Sequence, residues 1–226
     1  DITESGESAI EIGMGSSVSF RSIEISGSCN DNFIGVKSGS VVDIRDSTIV
    51  ATSTGRGIDV GGSSYLNFRN STISGTAIDG NLVNIGSGPR AEIRDSTISG
   101  TATNDSLVSI NGSSSVGIRD STLTLNSGNR GLDISESSHL SFRNSSLTGS
   151  ATEELIRVTR VSNAIIRNES KLSQTSPDIT DVTVSNLSFL SIWNNETSIN
   201  KVDCNNKGYV SANEGMVIDL ATSCTE

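Results

Sequence analysis

The chain has 226 residues and a formal net charge of −10, from 16 Lys and Arg against 26 Asp and Glu. It contains 43 Ser, 20 Thr, 20 Asn and 22 Gly, 105 residues in all, but only 4% aromatic residues. Helical and α/β domains draw about 45–50% of their residues from the apolar set and Gly, so the composition argues against those folds. The acidic balance argues against a nucleic-acid partner, because such affinity comes mainly from Lys and Arg at phosphates. No run approaches the roughly 18 apolar residues of a membrane span, which predicts no membrane insertion of this segment.

A six-residue phrase recurs along the chain. Its copies read Ile-Arg-Asp-Ser-Thr-Ile or a close variant, and the clearest begin at Ile44, Phe68, Ile93, Ile118 and Phe142. The Arg of each copy sets the period, because successive Arg positions from 21 to 167 are 24, 24, 25, 25, 24 and 24 residues apart. Looser copies begin at residues 166 and 192. A fixed period of this length indicates a stack of similar structural units.

Each repeat contains three short extended segments in chain order. In one repeat the first segment carries Ile58 and Val60, the second carries Leu66 and Phe68, and the third has a single inward apolar residue, Ile73. Alternation with a period of two, bounded by Gly, Ser and Asn, indicates strands. Variable loops are expected after the third strand, over residues 51–56, 100–105 and 149–154.

Three strands per 24–25 residues, with no helical periodicity, predict an all-β right-handed parallel β-helix (β-solenoid) of about nine coils. A single coil buries too few apolar side chains to stand alone, and stacking joins the coils into one core. The right hand is favoured because parallel crossovers strongly prefer it. We expect one domain over 1–226, with an N-terminal end at 1–8, regular coils at 9–200 and a C-terminal coil or cap at 201–226. This prediction requires Arg69 and Arg94 to lie side by side.

Stacking converts each repeated position into a column of side chains. The position after the Arg carries Asp or Asn, whose side chains can hydrogen-bond along the axis and cap backbone N–H groups at the bend. We therefore predict a structural ladder made of Asp46, Asn70, Asp95, Asp120, Asn144, Asn168 and Asn194.

Two other columns are candidate ligand-binding surfaces. Guanidinium groups make planar, bidentate contacts with carboxylates and sulfates, although a solvated or internally paired ladder is the alternative interpretation. This column contains Arg45, Arg69, Arg94, Arg119 and Arg143. The second column, beside the inward Ile or Leu of the third strand, contains Thr48, Thr72, Thr97 and Thr122. Together with neighbouring hydroxyl residues, it resembles the Thr-x-Thr arrays of ice-binding β-solenoids.

The sequence offers few candidates for catalysis. It has one histidine, His139, and neither a G-x-S-x-G elbow nor a metal-ligand spacing. We therefore predict no catalytic residue, no metal and no cofactor. Stacked acids such as Asp43 and Asp46 could still supply the carboxylate pair of glycoside hydrolysis, so a polysaccharide hydrolase or lyase stays as an alternative.

The three cysteines give information on the C-terminal end and on location. Cys204 and Cys224 are 20 residues apart, nearly one coil, so they could stack and form a disulfide that holds the last coil. Cys29 would be left free or paired outside the chain. A disulfide is typical of an exported protein, and we expect an extracellular or cell-surface location.

The repeated phrase with its Ser, Gly and Asn turns resembles the β-helical passenger domains of bacterial autotransporter adhesins, over about residues 9–200. The resemblance implies a surface-exposed or secreted adhesin module, attached to the outer membrane in the full-length protein. Its implied partners are glycans or proteins of host or bacterial surfaces, or further copies of itself, with no cofactor. Two alternatives stay open: a polysaccharide-binding or polysaccharide-cleaving β-helix such as a phage tail spike, and an ice-binding solenoid that uses the Thr/Ser rows.

Overall fold

The computed structural model describes residues 2–5, 8–175, 180–193 and 202–212, and within these ranges every regular element is a strand. The strands form three parallel sheets, and each strand pairs with its equivalents in the coils before and after it. The chain visits the sheets in turn, so each complete coil contributes one strand to each. The predicted three-strand solenoid is confirmed. The described residues include no helix long and apolar enough to cross a membrane.

We name the sheets by their order in the chain. Sheet 1, formed by the first strand of each coil, contains Ile10–Ile12, Ile34–Val36, Ile58–Gly61, Val83–Gly86, Val108–Ile110, Leu132–Ile134, Ile156–Val158, Val182–Ser185 and Val202–Asn205. Sheet 2 contains Ser17–Arg21, Val41–Arg45, Tyr65–Arg69, Arg90–Arg94, Ser115–Arg119, His139–Arg143, Asn163–Arg167, Phe189–Trp193 and Tyr209–Ala212. Sheet 3 contains Ile2–Ser5, Glu24–Cys29, Thr48–Ser53, Thr72–Ala77, Thr97–Ala102, Thr122–Ser127, Ser146–Ala151 and Lys171–Gln174.

The register of the strands is the one that the 24–25-residue period predicts. Arg94 pairs with Arg69 on one side and with Arg119 on the other. Parallel strands lie about 4.8 Å apart, so equivalent side chains of successive coils stack directly over one another. The alternating apolar residues point inward from all three sheets and form one continuous core along the axis. Phe33, Phe68 and Phe142 are its largest fully buried side chains.

The strands of sheet 3 are longer than the sequence predicts. Strands such as Thr97–Ala102 include residues that we assigned to variable loops, so the loops expected at 51–56, 100–105 and 149–154 begin three residues later. The inward residue at the fourth position of the strand is usually small. At Gly75 the φ angle is +144°, and a Cβ atom would lie 1.8 Å from the carbonyl oxygen of Ala51 in the neighbouring coil. Glycine therefore belongs to the strand at this position and does not mark a turn.

Buried serines form a hydrogen-bonded ladder at the bend between sheets 2 and 3. Each hydroxyl donates to the carbonyl oxygen of the preceding Arg, which is two residues earlier, or three for Ser170. It also accepts the backbone N–H of the equivalent residue in the preceding coil, which is a serine except for Ile23 in the first coil. The ladder contains Ser47, Ser71, Ser96, Ser121, Ser145 and Ser170. These bonds satisfy backbone N–H groups that the bend removes from the sheets.

Candidate functional site

The arginine column lies on the outward surface of sheet 2, at the last residue of each strand from Arg21 to Arg167. Arg69, Arg94 and Arg119 are consecutive register partners, and Arg143 and Arg167 continue the column. Two positions earlier, a second outward column contains Ser19, Asp43, Asn67, Glu92, Gly117 and Ser141. The two columns together determine which guanidinium groups are free to bind a ligand.

In the N-terminal half of the column, side chains of the protein itself bind the guanidinium groups; Arg69, for example, donates to the amide oxygen of Asn67 at 2.8 Å. Asp43 accepts from Arg45 at 2.8 Å and from Arg21 at 3.3 Å. Burial opposes ionisation of this carboxyl group, but hydrogen bonds from Arg45 and Asn67 and the charges of both arginines outweigh burial and lower the pKa of Asp43. These arginines are therefore held mainly by their own chain.

Glu92 holds the next arginines in the same way. Its carboxylate lies 3.0 Å from Arg90 and 3.0 Å from Arg94. Burial again opposes ionisation, but the hydrogen bonds and charges of these two arginines lower the pKa of Glu92. The carboxylate is therefore ionised at neutral pH.

The middle of sheet 2 contains a groove, because Gly117 has no side chain in the column between Glu92 and Ser141. The groove encloses about 240 Å³. Its walls include Glu92, Arg94, Arg119, His139, Ser141 and Arg143. A Cβ atom on residue 117 would lie 2.9 Å from an oxygen of Glu92, so glycine is what leaves this space open.

Two arginines present unpaired guanidinium ends to this groove. Arg119 uses its Nε to contact Asp120 at 3.3 Å, and Arg143 uses its Nε to donate to Ser141 at 3.1 Å. No described residue accepts a hydrogen bond from the Nη groups of either arginine. With three arginines and one carboxylate in its walls, the groove is positively charged although the whole chain carries −10. Its chemistry suits a carboxylate or sulfate group, which accepts bidentate hydrogen bonds from guanidinium.

His139 also lines the groove, in the outward column at the start of each sheet 2 strand. Burial and, to a lesser extent, the positive charge of Arg167 lower the pKa of His139. The imidazole is therefore neutral at pH 7, where it can donate and accept one hydrogen bond each.

The Asp and Asn residues of the predicted ladder all adopt the left-handed conformation, with φ angles between 46° and 60° from Asp46 to Asn168. Their side chains join in two neighbouring pairs: Asn70 donates to Asp46 at 2.6 Å and Asn144 donates to Asp120. In the described part of the column the other members make no such bond, and the continuous ladder is the serine ladder one residue later. Asn194 lies outside the described residues.

The predicted threonine row lies on the outward surface of sheet 3. Thr48, Thr72, Thr97 and Thr122 are register partners, as predicted from their spacing. The second outward row, two residues later, contains Val50, Ser74, Ser99, Thr124 and Thr148. Because the strands are longer than predicted, they add a third outward row that was not predicted from the sequence: Thr52, Thr76, Thr101, Asn126 and Ser150. The five strands from Thr48–Ser53 to Ser146–Ala151 contain no charged residue.

Trp193 takes the place of arginine in the eighth coil, where it is the register partner of Arg167. This residue is 56% exposed, and its indole N–H donates to Ser191. A cavity of about 390 Å³ lies beside it, lined in the described part of the chain by Arg167, Asn168 and Trp193. The sequence signal for this site was the replacement of Arg in the repeated phrase, which we interpreted only as a degraded copy.

The remaining candidates concern metals and cysteines. The described residues contain no group of three or more His, Cys, Asp or Glu side chains that could hold a metal ion. Cys204 is disulfide-bonded, and its predicted partner Cys224 lies outside the described residues. Cys29 is buried and free.

Comparison with known proteins agrees with this architecture. The chain matches no curated protein and no solved structure. The family model described as "Right handed beta helix region" matches residues 8–171, which is more than two thirds of the chain. The chain therefore belongs to the right-handed β-helix family, in agreement with the predicted hand of the coil.

Proposed function

We propose that this β-helix is the binding module of a surface-exposed or secreted adhesin, and that it attaches to acidic glycans through the groove at Gly117. The observation that carries the proposal is the pair of guanidinium ends, from Arg119 and Arg143, that face an open groove on an otherwise acidic chain. Uronic acids and sulfated sugars carry the planar or tetrahedral anions that such groups bind. The extracellular location and the adhesin role rest on the resemblance described above.

A binding role fits the carboxylates of sheet 2 better than a catalytic one. Glycoside hydrolysis needs one carboxylic acid that stays protonated, hence a raised pKa. Asp43 and Glu92 both have lowered pKa values and are ion-paired with arginines. Among the described residues, burial raises the pKa of Glu154, but this carboxyl group is itself buried and bonded to Arg130 at 3.0 Å. We therefore propose that the groove binds a polysaccharide and leaves it uncleaved.

Calorimetric titration with tetragalacturonate, an acidic tetrasaccharide, tests the groove. A hydrogen bond to a charged group contributes about 1.5–3 kcal/mol, so the double variant Arg119→Ala/Arg143→Ala should bind at least roughly ten-fold more weakly. Arg45→Ala is the matched control, because Arg45 belongs to the same column but is paired with Asp43. Gly117→Ser should also weaken binding, since it restores the side chain that Ser141 provides in the next coil and partly closes the groove. Equal affinity of the double variant and the wild type would refute the groove as the binding site.

Adhesion itself needs a separate experiment. Bacteria that display the wild-type chain should attach to surfaces coated with polygalacturonate, and those that display the double variant should not. Attachment of both to the same extent would contradict the adhesin mechanism proposed for the groove.

The outward surface of sheet 3 supports ice binding as a second candidate function. The observation in its favour is the third outward row, formed by four hydroxyl residues and Asn126, which makes this surface broad, regular and uncharged. Repeated hydroxyl groups at the strand spacing of about 4.8 Å can order water in a lattice. We propose that Thr97→Tyr, in the centre of the surface, would abolish thermal hysteresis, whereas Ser115→Tyr on sheet 2 would not. Absence of hysteresis in the wild-type protein would exclude this function.

A further inference from the structure

We propose that Trp193, Arg167 and Asn168 form a second subsite, in which one pyranose ring of the acidic glycan stacks on the indole. This inference rests on the proposed function, because it extends the same ligand along the arginine column. It specifies the ligand further, as an acidic oligosaccharide long enough to reach from the groove at Gly117 to Trp193.

The indole of Trp193 provides a fixed, exposed surface on which a sugar ring can stack. Its only polar atom, the ring nitrogen, is already bonded to Ser191, which fixes the ring, while 56% of the residue stays exposed. A large exposed aromatic surface with a satisfied polar tip favours contact with a flat, partly apolar partner. The apolar face of a pyranose ring has this character.

The neighbouring side chains supply the polar contacts that an acidic sugar needs. The Nε of Arg167 is buried and has no hydrogen-bond partner among the described residues. The side-chain amide of Asn168 likewise makes no hydrogen bond within the described ranges, although its backbone N–H donates to the carbonyl of Trp193. Within the cavity, a carboxylate would meet the positive charge of the Arg167 guanidinium group, and a hydroxyl would bond to the side-chain amide of Asn168. The cavity of about 390 Å³ falls in the range of about 300–1,000 Å³ typical of small-molecule sites.

The register places both subsites on one line. Arg119, Arg143, Arg167 and Trp193 are consecutive partners across four coils. Three steps of about 4.8 Å make roughly 14 Å between the first and the last of them, a distance that a tetrasaccharide spans and a disaccharide does not. The two arginines of the groove and Arg167 of the second subsite would meet the acidic groups of successive sugars.

Trp193 also supplies the probe, because it is the single tryptophan of the chain. Titration of the intact protein with tetragalacturonate should change its fluorescence and shift the emission to shorter wavelength, with the same midpoint as calorimetry. Trp193→Leu should bind at least about ten-fold more weakly, as truncation of a tryptophan hot spot does, and Trp193→Phe should recover part of the affinity. Tyr209→Leu is the matched control, since Tyr209 is an exposed aromatic residue of sheet 2 in a different column, stacked on Phe189.

The outcomes separate the two proposals. If calorimetry shows binding that depends on Arg119 and Arg143, but fluorescence and the Trp193→Leu affinity are unchanged, the stacking subsite is wrong and the groove stands. An equal fluorescence response to neutral maltotetraose would show that the subsite does not select an acidic glycan, and would overturn it. No binding of tetragalacturonate by either method would reject both proposals.

Discussion

Removal of one hydroxyl group from the serine ladder should destabilise the whole solenoid by about 2 kcal/mol. Ser121 is 4% exposed; its Oγ donates to the carbonyl of Arg119 at 2.7 Å and accepts the N–H of Ser96 at 3.3 Å. In Ser121→Ala the carbonyl keeps its bond from the N–H of Asp95 at 3.1 Å. The N–H of Ser96 loses its acceptor inside the protein, and a buried donor without a partner costs about 1–3 kcal/mol.

The corresponding change in melting temperature is measurable. Unfolding entropy of about 2.1 cal/mol/K per residue gives roughly 0.5 kcal/mol/K for this chain, so a loss of about 2 kcal/mol lowers Tm by about 4 °C. Circular dichroism at increasing temperature measures this shift, and hydrogen exchange at the Ser96 amide should become faster. The control is Ser115→Ala, an exposed serine whose loss should change stability by less than about 0.5 kcal/mol. Equal Tm values for the two variants, with unchanged exchange at Ser96, would refute the ladder as a source of stability.

Two further predictions concern pH and the stacking of coils. Because burial and Arg167 lower the pKa of His139, its protonation below about pH 6.5 should strengthen binding of tetragalacturonate while the sugar carboxylates stay ionised. Protonation of His139 should have the opposite effect on folding, because it should lower the stability of the protein. The unfolded chain binds the proton more readily, so the contribution of His139 to stability is complete above pH 6.5 and is lost as pH falls. Calorimetry and thermal melts between pH 5 and 8 measure both trends, and His139→Gln should remove both. Deletion of residues 47–70 joins two repeat-equivalent positions, so it should shorten the rod by about 4.8 Å in small-angle scattering and leave tetragalacturonate affinity unchanged; a loss of fold or affinity would contradict independent stacking of the coils.

The sequence predicts the coil well because the inward residues carry a strong signal. Pairs such as Leu66 and Phe68 recur at a fixed spacing, and this period alone sets which side chains become neighbours. The sequence gives no comparable indication of how long the sheet 3 strands are. Their second inward position usually holds Gly or Ala, as at Gly75 and Ala51, although Leu125 occupies it in one coil. A Gly-Thr pair in a sequence is as typical of a turn as of a tightly packed strand.

The serine ladder was missed for a related reason. Serine is so frequent in this chain that the sequence does not distinguish the buried column beginning at Ser47 from the many exposed serines. The role of each ladder serine follows from its position. It comes directly after the bend at the left-handed Asp or Asn, where the chain turns the serine side chain into the interior. The Asp and Asn column is chemically more distinctive in the sequence, but it supplies the left-handed bend, whereas the buried serines supply the continuous hydrogen bonds.

In a stacked repeat, the places where a column is interrupted carry more functional information than the repeated residue itself. Arginine occurs seven times in its column, and most copies are held by the chain's own acids and amides. Within the described coils, two unpaired guanidinium ends face an open space where Gly117 leaves a gap, and the column gains an aromatic surface where Trp193 replaces arginine. Each interruption depends on regular neighbours, because the side chains of the coils above and below form the walls. The regular repeat therefore forms the surface, and single residues that differ from the repeat determine which ligand the surface binds.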